Sequence, residues 1–154
     1  MHALPRAAAA PRSKAGRPVS LSLVLVYLCR HAQAAAGTPD ERRPLSAEGE
    51  EQATRLAARL AALSQPPAVV LTSPLLRARQ TAEVVARALG AELRVEPRLA
   101  PGATVEQIRA LASEADEPFA TVGHQPDCSE IARVLIGRDP GFAPGGMHPV
   151  DVPT

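Results

Sequence analysis

The chain has no tryptophan, one tyrosine, two phenylalanines and two cysteines, and its single lysine is Lys14. Aromatic residues at 2% leave little to stack against bases, and a formal net charge of +1 supplies no basic field for nucleic acid. Cys29 and Cys128 alone make neither a disulfide framework nor a tetrahedral zinc site, so a reduced, cytoplasmic setting is expected. No apolar run is long enough to span a membrane. Leu23 to Leu28 does follow Arg12, Lys14 and Arg17, and small residues come after it, as in an export signal. Arg30 and His31, however, stand where the cleavage site should begin, which weighs against export. The scarcity of lysine beside abundant arginine and alanine is a compositional bias without functional content.

What is present is organised around residues 21–34, LSLVLVYLCRHAQA. An unbroken Val/Leu run that stops at Arg30-His31 suits a strand buried on both faces of a parallel sheet. Ligands of such sheets bind beyond the carboxyl ends of the strands. The 154 residues suit one domain. Residues 1–20, rich in Ala, Pro and Arg and without apolar period, are expected to form a disordered extension. Strands are expected at about 21–28, 68–71, 92–95 and 119–122.

Between them lie helices with readable ends. Ser46 is an N-cap with Glu48 in the first turn. Ala53, Leu56, Ala57, Leu60 and Leu63 form that helix's buried stripe. Ser73 caps the next helix with Pro74 at its first position, and Gly90 ends it. Thr104 to Gln107 and Asp127 to Glu130 both read as capping boxes, and Gly137 closes the last helix. The alternation predicts a three-layer α/β/α sandwich with a mostly parallel central sheet. Residues 138–154, dense in Pro and Gly, are expected to be an irregular tail that supplies no strand.

Three strand ends carry residues fit for phosphate chemistry: Arg30 and His31, then Ser73 with Arg77 one turn into a helix, then His124. In a parallel sheet these ends share one edge, where two guanidinium forks and two imidazoles would hold a phosphoryl group. Each residue alone has a plainer reading. A lone strand-end histidine is usually structural, Arg77 a surface ion-pair former, Ser73 a cap, and Arg42-Arg43 a solvated loop. Their repetition at equivalent positions is what points to a site. Cysteine-based and two-metal phosphate chemistries fit poorly. A cysteine-based loop would need an arginine a few residues after Cys29, where Ala32 to Ala36 supplies only Gln33 and alanines, and no Asp-rich strand end suggests two metals.

The segments LCRHAQA, TSPLLRARQTAE and VGHQPD resemble the motifs of the histidine phosphatase superfamily, whose fold is phosphoglycerate mutase-like. DERRPLSAEGEEQA and Arg98 to Gly102 are similar to its SixA-like phosphohistidine phosphatase branch. The likeness covers about residues 21–137. It implies that His31 becomes phosphorylated while Arg30, Arg77 and His124 bind the phosphoryl group, with no metal or other cofactor. The usual glycine after the histidine is Ala32 here. The LxE segment of mutase-like members reads Arg98-Leu99-Ala100-Pro101, without the carboxylate.

A pocket lacking a dedicated acid matches a P–N bond better than an unactivated ester, because imidazole leaves far more easily than alkoxide. The resemblance thus implies a phosphohistidine-bearing partner such as a phosphotransfer domain in bacterial signalling, and a monomer. Two alternatives stand beside it: a phosphatase of small activated phosphoesters, and a noncatalytic phosphate-binding regulator. The family's sheet normally gains a further strand after the last helix, and here that final strand is expected to be missing.

Overall fold

The computed structural model describes residues 22–154. The reading of 1–20 as an extension lies outside those residues. Five strands and four helices alternate along the chain: β1 Leu23–Arg30, α1 Ala47–Ala61, β2 Val69–Thr72, α2 Leu76–Leu89, β3 Glu92–Val95, α3 Val105–Ser113, β4 Phe119–Gly123, α4 Asp127–Ile136 and β5 Met147–Pro153. The sheet order is β3-β2-β4-β1-β5. The first four strands of that order are mutually parallel, and β5 runs antiparallel to β1.

The double burial expected of β1 follows from its inner position. Val26 and Leu28 pack with Ile108, Leu111, Ile131 and Ala132 of α3 and α4. Tyr27 and Cys29, pointing the other way, pack with Leu56, Leu60, Ala82 and Val85 of α1 and α2. Helices therefore cover both faces, as the alternating pattern predicted. Arg30 pairs with Gly123 and Thr72 with Val122, so the carboxyl ends of β1, β2 and β4 lie level on one edge.

The final strand is present, which corrects the expectation that it is missing. Prolines at 149 and 153 argue against a strand only if their nitrogens must donate to a neighbour. Thr154 N donates to Ser22 O at 3.0 Å and Arg30 N to Gly146 O at 3.0 Å, so even-numbered residues of β5 face β1. Pro149 and Pro153 take the other positions and turn their ring nitrogens away from β1, which an edge strand tolerates. Val150 and Val152 reach the core from the bonded positions.

Two helix starts also differ from expectation. Asp127 does not cap α4; its carboxylate accepts from Gly102 N at 2.8 Å and Ala103 N at 3.2 Å, pinning the loop before α3. Gln125 takes the Ser129 N–H instead, at 2.9 Å. Ser73 accepts from Leu75 N at 3.2 Å, and α2 begins only at Leu76. The caps at Ser46 and Thr104 form as expected, and Gly90 and Gly137 close their helices at φ 63° and 76°.

Gly49 in α1 fixes where the segment after β1 can lie. A Cβ there would stand 2.0 Å from the Gln33 carbonyl oxygen. Gly49→Ala is therefore expected to push α1 away from this segment and cost about 1–3 kcal/mol. Urea unfolding checks this; a midpoint unchanged from wild type would refute the close approach.

Candidate active site

The level strand ends bring Arg30, His31, Arg77 and His124 together. His31 follows β1 directly and is held on both sides by backbone: its N–H donates to Gly123 O at 3.0 Å, and its carbonyl accepts from Gly145 N at 3.1 Å. Its ring is half-buried, with Nδ1 2.6 Å from the Ala32 carbonyl oxygen. A carbonyl can only accept, so Nδ1 carries the proton and the neutral ring's lone pair sits on Nε2. The two imidazoles lie 5.2 Å apart between centroids, tilted by 56°.

Each neighbour is fixed in turn. Arg30 donates from Nη1 to Phe142 O at 3.0 Å, while its buried Nε bonds to no atom of the described residues. Arg77 is buried and directs both terminal nitrogens at Asp40, to the backbone carbonyl at 2.9 Å and to Oδ2 at 3.2 Å. Asp40 Oδ1 also accepts from Arg43 at 3.0 Å. His124 is 4% exposed and shares a 2.7 Å hydrogen bond between Nε2 and the Ser73 hydroxyl. Ala32 N donates to Thr81 Oγ1 at 3.0 Å, and Thr81 donates to the Arg77 carbonyl at 2.8 Å, so β1's end and α2 are tied together.

Electrostatics follow from this packing. Burial pulls the His31 pKa below its ordinary 6.5; the Ala32 carbonyl opposes this, and the charges of Arg77, Arg30 and Arg43 add to it. His124 is lowered to about 4, chiefly by burial and then by His31 and Arg77. Both rings are neutral at pH 7. Asp40 is held below the usual carboxylate range by its bond to Arg43 and by Arg77, and is therefore ionised. Burial pushes the Cys29 thiol up and the Cys128 thiol up to about 12, so neither is a thiolate nucleophile.

A group whose folded pKa is depressed favours unfolding once the unfolded chain can take the proton. The stability contributed by neutral His124 is complete above pH 6.5 and is lost as pH falls from 6.5 toward about 4. His124→Gln is expected to flatten the fall of stability across that window, read from urea midpoints at a series of pH values. An unchanged slope would show that His124 is not buried neutral.

Several participants carried no clear signal in the sequence. Phe142, Gly145 and Gly146 act through backbone groups, which no residue type announces. Arg43 joins the site through Asp40, whereas Arg42 is exposed. Thr81 was findable in principle, since it stands one helical turn after Arg77.

The sequence profile of the histidine phosphatase superfamily (branch 1) matches residues 26–127. The chain belongs to this superfamily. An uncharacterised protein of Picosynechococcus sp. strain PCC 7002 is 40% identical over 131 residues, covering 80% of this chain and 76% of that protein. Among solved structures, the SixA protein of Agrobacterium tumefaciens superposes with a TM-score of 0.73 at 28% identity, over 83% of this chain and 91% of that one. A protein histidine phosphatase SixA complexed with tungstate gives 0.69 at 29% identity, over 78% and 83%. This histidine phosphatase domain thus has the phosphoglycerate mutase-like fold of the SixA branch, and its activity is that of a phosphatase. No helix among its described residues is long and apolar enough to cross a membrane.

Proposed function

We propose that this histidine phosphatase hydrolyses phosphohistidine on a partner protein, through a phosphoryl group carried transiently on His31. The observation that carries the proposal is the His31 ring itself. Its Nδ1 is committed to the Ala32 carbonyl at 2.6 Å, which leaves Nε2 as the nucleophilic nitrogen beside two arginines. In the first transfer the Nε2–P bond forms as the substrate's P–N bond breaks in line, and the departing imidazole takes a proton from water. In the second, water attacks phosphorus, phosphate leaves, and His31 returns to the neutral form.

In this reading Arg30 and Arg77 bind the equatorial oxygens and stabilise charge spread over them. Arg30 Nε, buried and without a partner among the described residues, is a donor suited to such an oxygen. His124 contributes a third contact. The solved SixA complex with tungstate, a tetrahedral oxyanion like phosphate, supports an oxyanion site in the branch. The absence of an acid is supported by Asp40, the carboxylate bonded to Arg77: its two arginine partners hold it ionised, so it has no proton to give. A signalling partner in the cytoplasm, such as a phosphotransfer domain, fits that leaving group. The reading as a noncatalytic relative rested on an incomplete sheet, and β5 removes that ground.

The test is a rapid quench with phosphorus-labelled substrate, followed by peptide mapping. Label is expected on the peptide bearing His31, stable in alkali and labile in acid. Turnover with no label on that peptide under single-turnover conditions would overturn the assignment. Because His31 attacks as the neutral ring, the acid limb of kcat/KM is expected to lie below pH 6.5. A limb at or above that value would contradict the buried, arginine-flanked ring.

A further inference from the structure

Arg77 has 9% of its side chain exposed, and both of its terminal nitrogens end on one exposed turn of chain. Residues 36–43 project beyond a neck made by the Ala34–Leu45 bridge and by Ala35 N, which donates to Pro44 O at 2.8 Å. Arg43 Nε secures the same neck by donating to Ala35 O at 2.9 Å. Beyond the neck the turn Asp40–Arg42 buries no residue. Among the described residues, the hydrogen bonds that tie 36–42 to chain outside this loop are the two from Arg77. Nη1 donates to Asp40 O at 2.9 Å and Nη2 to Asp40 Oδ2 at 3.2 Å. The other carboxylate oxygen accepts from Arg43 Nη1 at 3.0 Å. A carboxylate that is 62% exposed thus bridges two guanidinium groups.

We propose that Asp40 is a displaceable internal competitor: its carboxylate holds the Arg77 fork in the free protein, and a phosphoryl group binds by expelling it. This deepens the function proposed above and rests on Arg77 as a phosphoryl ligand. Carboxylate and phosphoryl oxygens ask for the same planar pair of N–H donors, so Arg77 serves them in turn. A phosphoryl dianion carries the greater charge and wins the exchange. Giving way costs the loop little, because the turn has no buried side chain to withdraw and its carboxylate passes straight into water. A residue that served to fix Arg77 would need the opposite, a side chain locked by packing. The charge of Asp40 also reaches the buried His124 ring, so the carboxylate lies at the same pocket.

The consequence is selectivity between two sources of one group. Free phosphate, the product, must expel Asp40 with its own contacts alone. A phosphoryl group presented on a protein adds contacts made by the carrier, and these offset the exchange. A latch closed in about nine-tenths of the free protein lowers phosphate affinity about tenfold.

Titration calorimetry of the full chain with inorganic phosphate at neutral pH reads the exchange without turnover. Asp40→Asn removes the charge at constant shape, and Asp40→Ala removes the carboxylate altogether. Each is expected to bind phosphate about tenfold more tightly than wild type. Glu41→Gln removes the same charge from the exposed neighbour in the turn and is expected to stay within about twofold. In a crystal grown with tungstate, Asp40 Oδ2 is expected beyond hydrogen-bond distance from Arg77. Three results would each overturn the proposal: Asp40 variants that bind phosphate no more tightly than wild type, a gain in Glu41→Gln equal to theirs, or a tungstate complex that keeps the Asp40–Arg77 bond. Arg77→Ala separates this failure from that of the function itself. If Arg77→Ala loses phosphate binding about tenfold or more while the Asp40 variants stay at wild type, the competitor alone is overturned. If Arg77→Ala binds phosphate as wild type does, Arg77 is no ligand, and the phosphoryl site proposed above falls with the competitor.

Discussion

His31→Ala is expected to lose about 1,000-fold or more in kcat/KM on an aryl phosphate and on a phosphoramidate, with thermal stability near that of wild type. The size follows from what is removed. Without Nε2 there is no covalent route, and the remaining arginines can only bind the phosphoryl group and favour direct attack by water. Stability is spared for an equally local reason. The side-chain bond of His31 goes to Ala32, its immediate neighbour, while its backbone bonds to Gly123 and Gly145 survive the substitution. The half-buried ring is also surrounded by Arg77, Arg30 and Arg43, which gain nothing from its presence. Circular dichroism and a melting curve run beside the kinetics separate the two effects. Wild-type turnover in a folded His31→Ala protein would remove His31 from the mechanism.

The second large effect concerns the leaving group. Phosphohistidine on a phosphotransfer domain is expected to be hydrolysed about 100- to 10,000-fold more efficiently than an alkyl phosphate such as phosphoserine. That range is what a positioned general acid contributes when an alkoxide must be protonated. An imidazole, with a reference pKa near ~6.5, leaves without such help. Asp40 is the carboxylate bonded to the site arginines, and Arg43 and Arg77 keep it ionised. Asp40→Asn therefore serves as the control: it should not selectively depress whatever alkyl phosphatase activity exists. The comparison needs both substrates at one pH. Equal efficiency, or a selective loss of ester hydrolysis in Asp40→Asn, would reassign the enzyme to phosphate esters.

Much of the fold is legible because its signals are local. The Val/Leu run into Arg30-His31 needs only the rule that parallel strands are buried twice, and β1 obeys it through Val26, Leu28, Tyr27 and Cys29. Ser46, Thr104, Gly90 and Gly137 announce helix ends because capping involves neighbours in sequence. What escaped depends on distant partners. Whether Pro149 and Pro153 break a strand depends on which side faces β1, and no local pattern says that. Asp127 reads as a cap within its own tetrapeptide, yet its carboxylate goes to the loop at Gly102 and Ala103. Around the site, Arg30, His31, Arg77 and His124 stood out by type and position, whereas Asp40 and Arg43 read only as parts of a polar loop. The Phe142 carbonyl and the Gly145 amide, being backbone, gave no sign.

The sheet order has a consequence for how the molecule is made. Among the described strands β1 is synthesised first, but its neighbours are β4 and β5, which come fourth and fifth; Val26 pairs with both Phe119 and Val150. Helices α1 and α2 and strands β2 and β3 can all leave the ribosome before β1 has any strand to pair with. Arg30 must wait longer still, because its guanidinium and its amide are held by Phe142 and Gly146. Contacts this distant along the chain close slowly. A growing chain therefore carries an apolar, unpaired β1 until β4 has been made, and acquires its arginine-histidine site only once residues 142–146 follow.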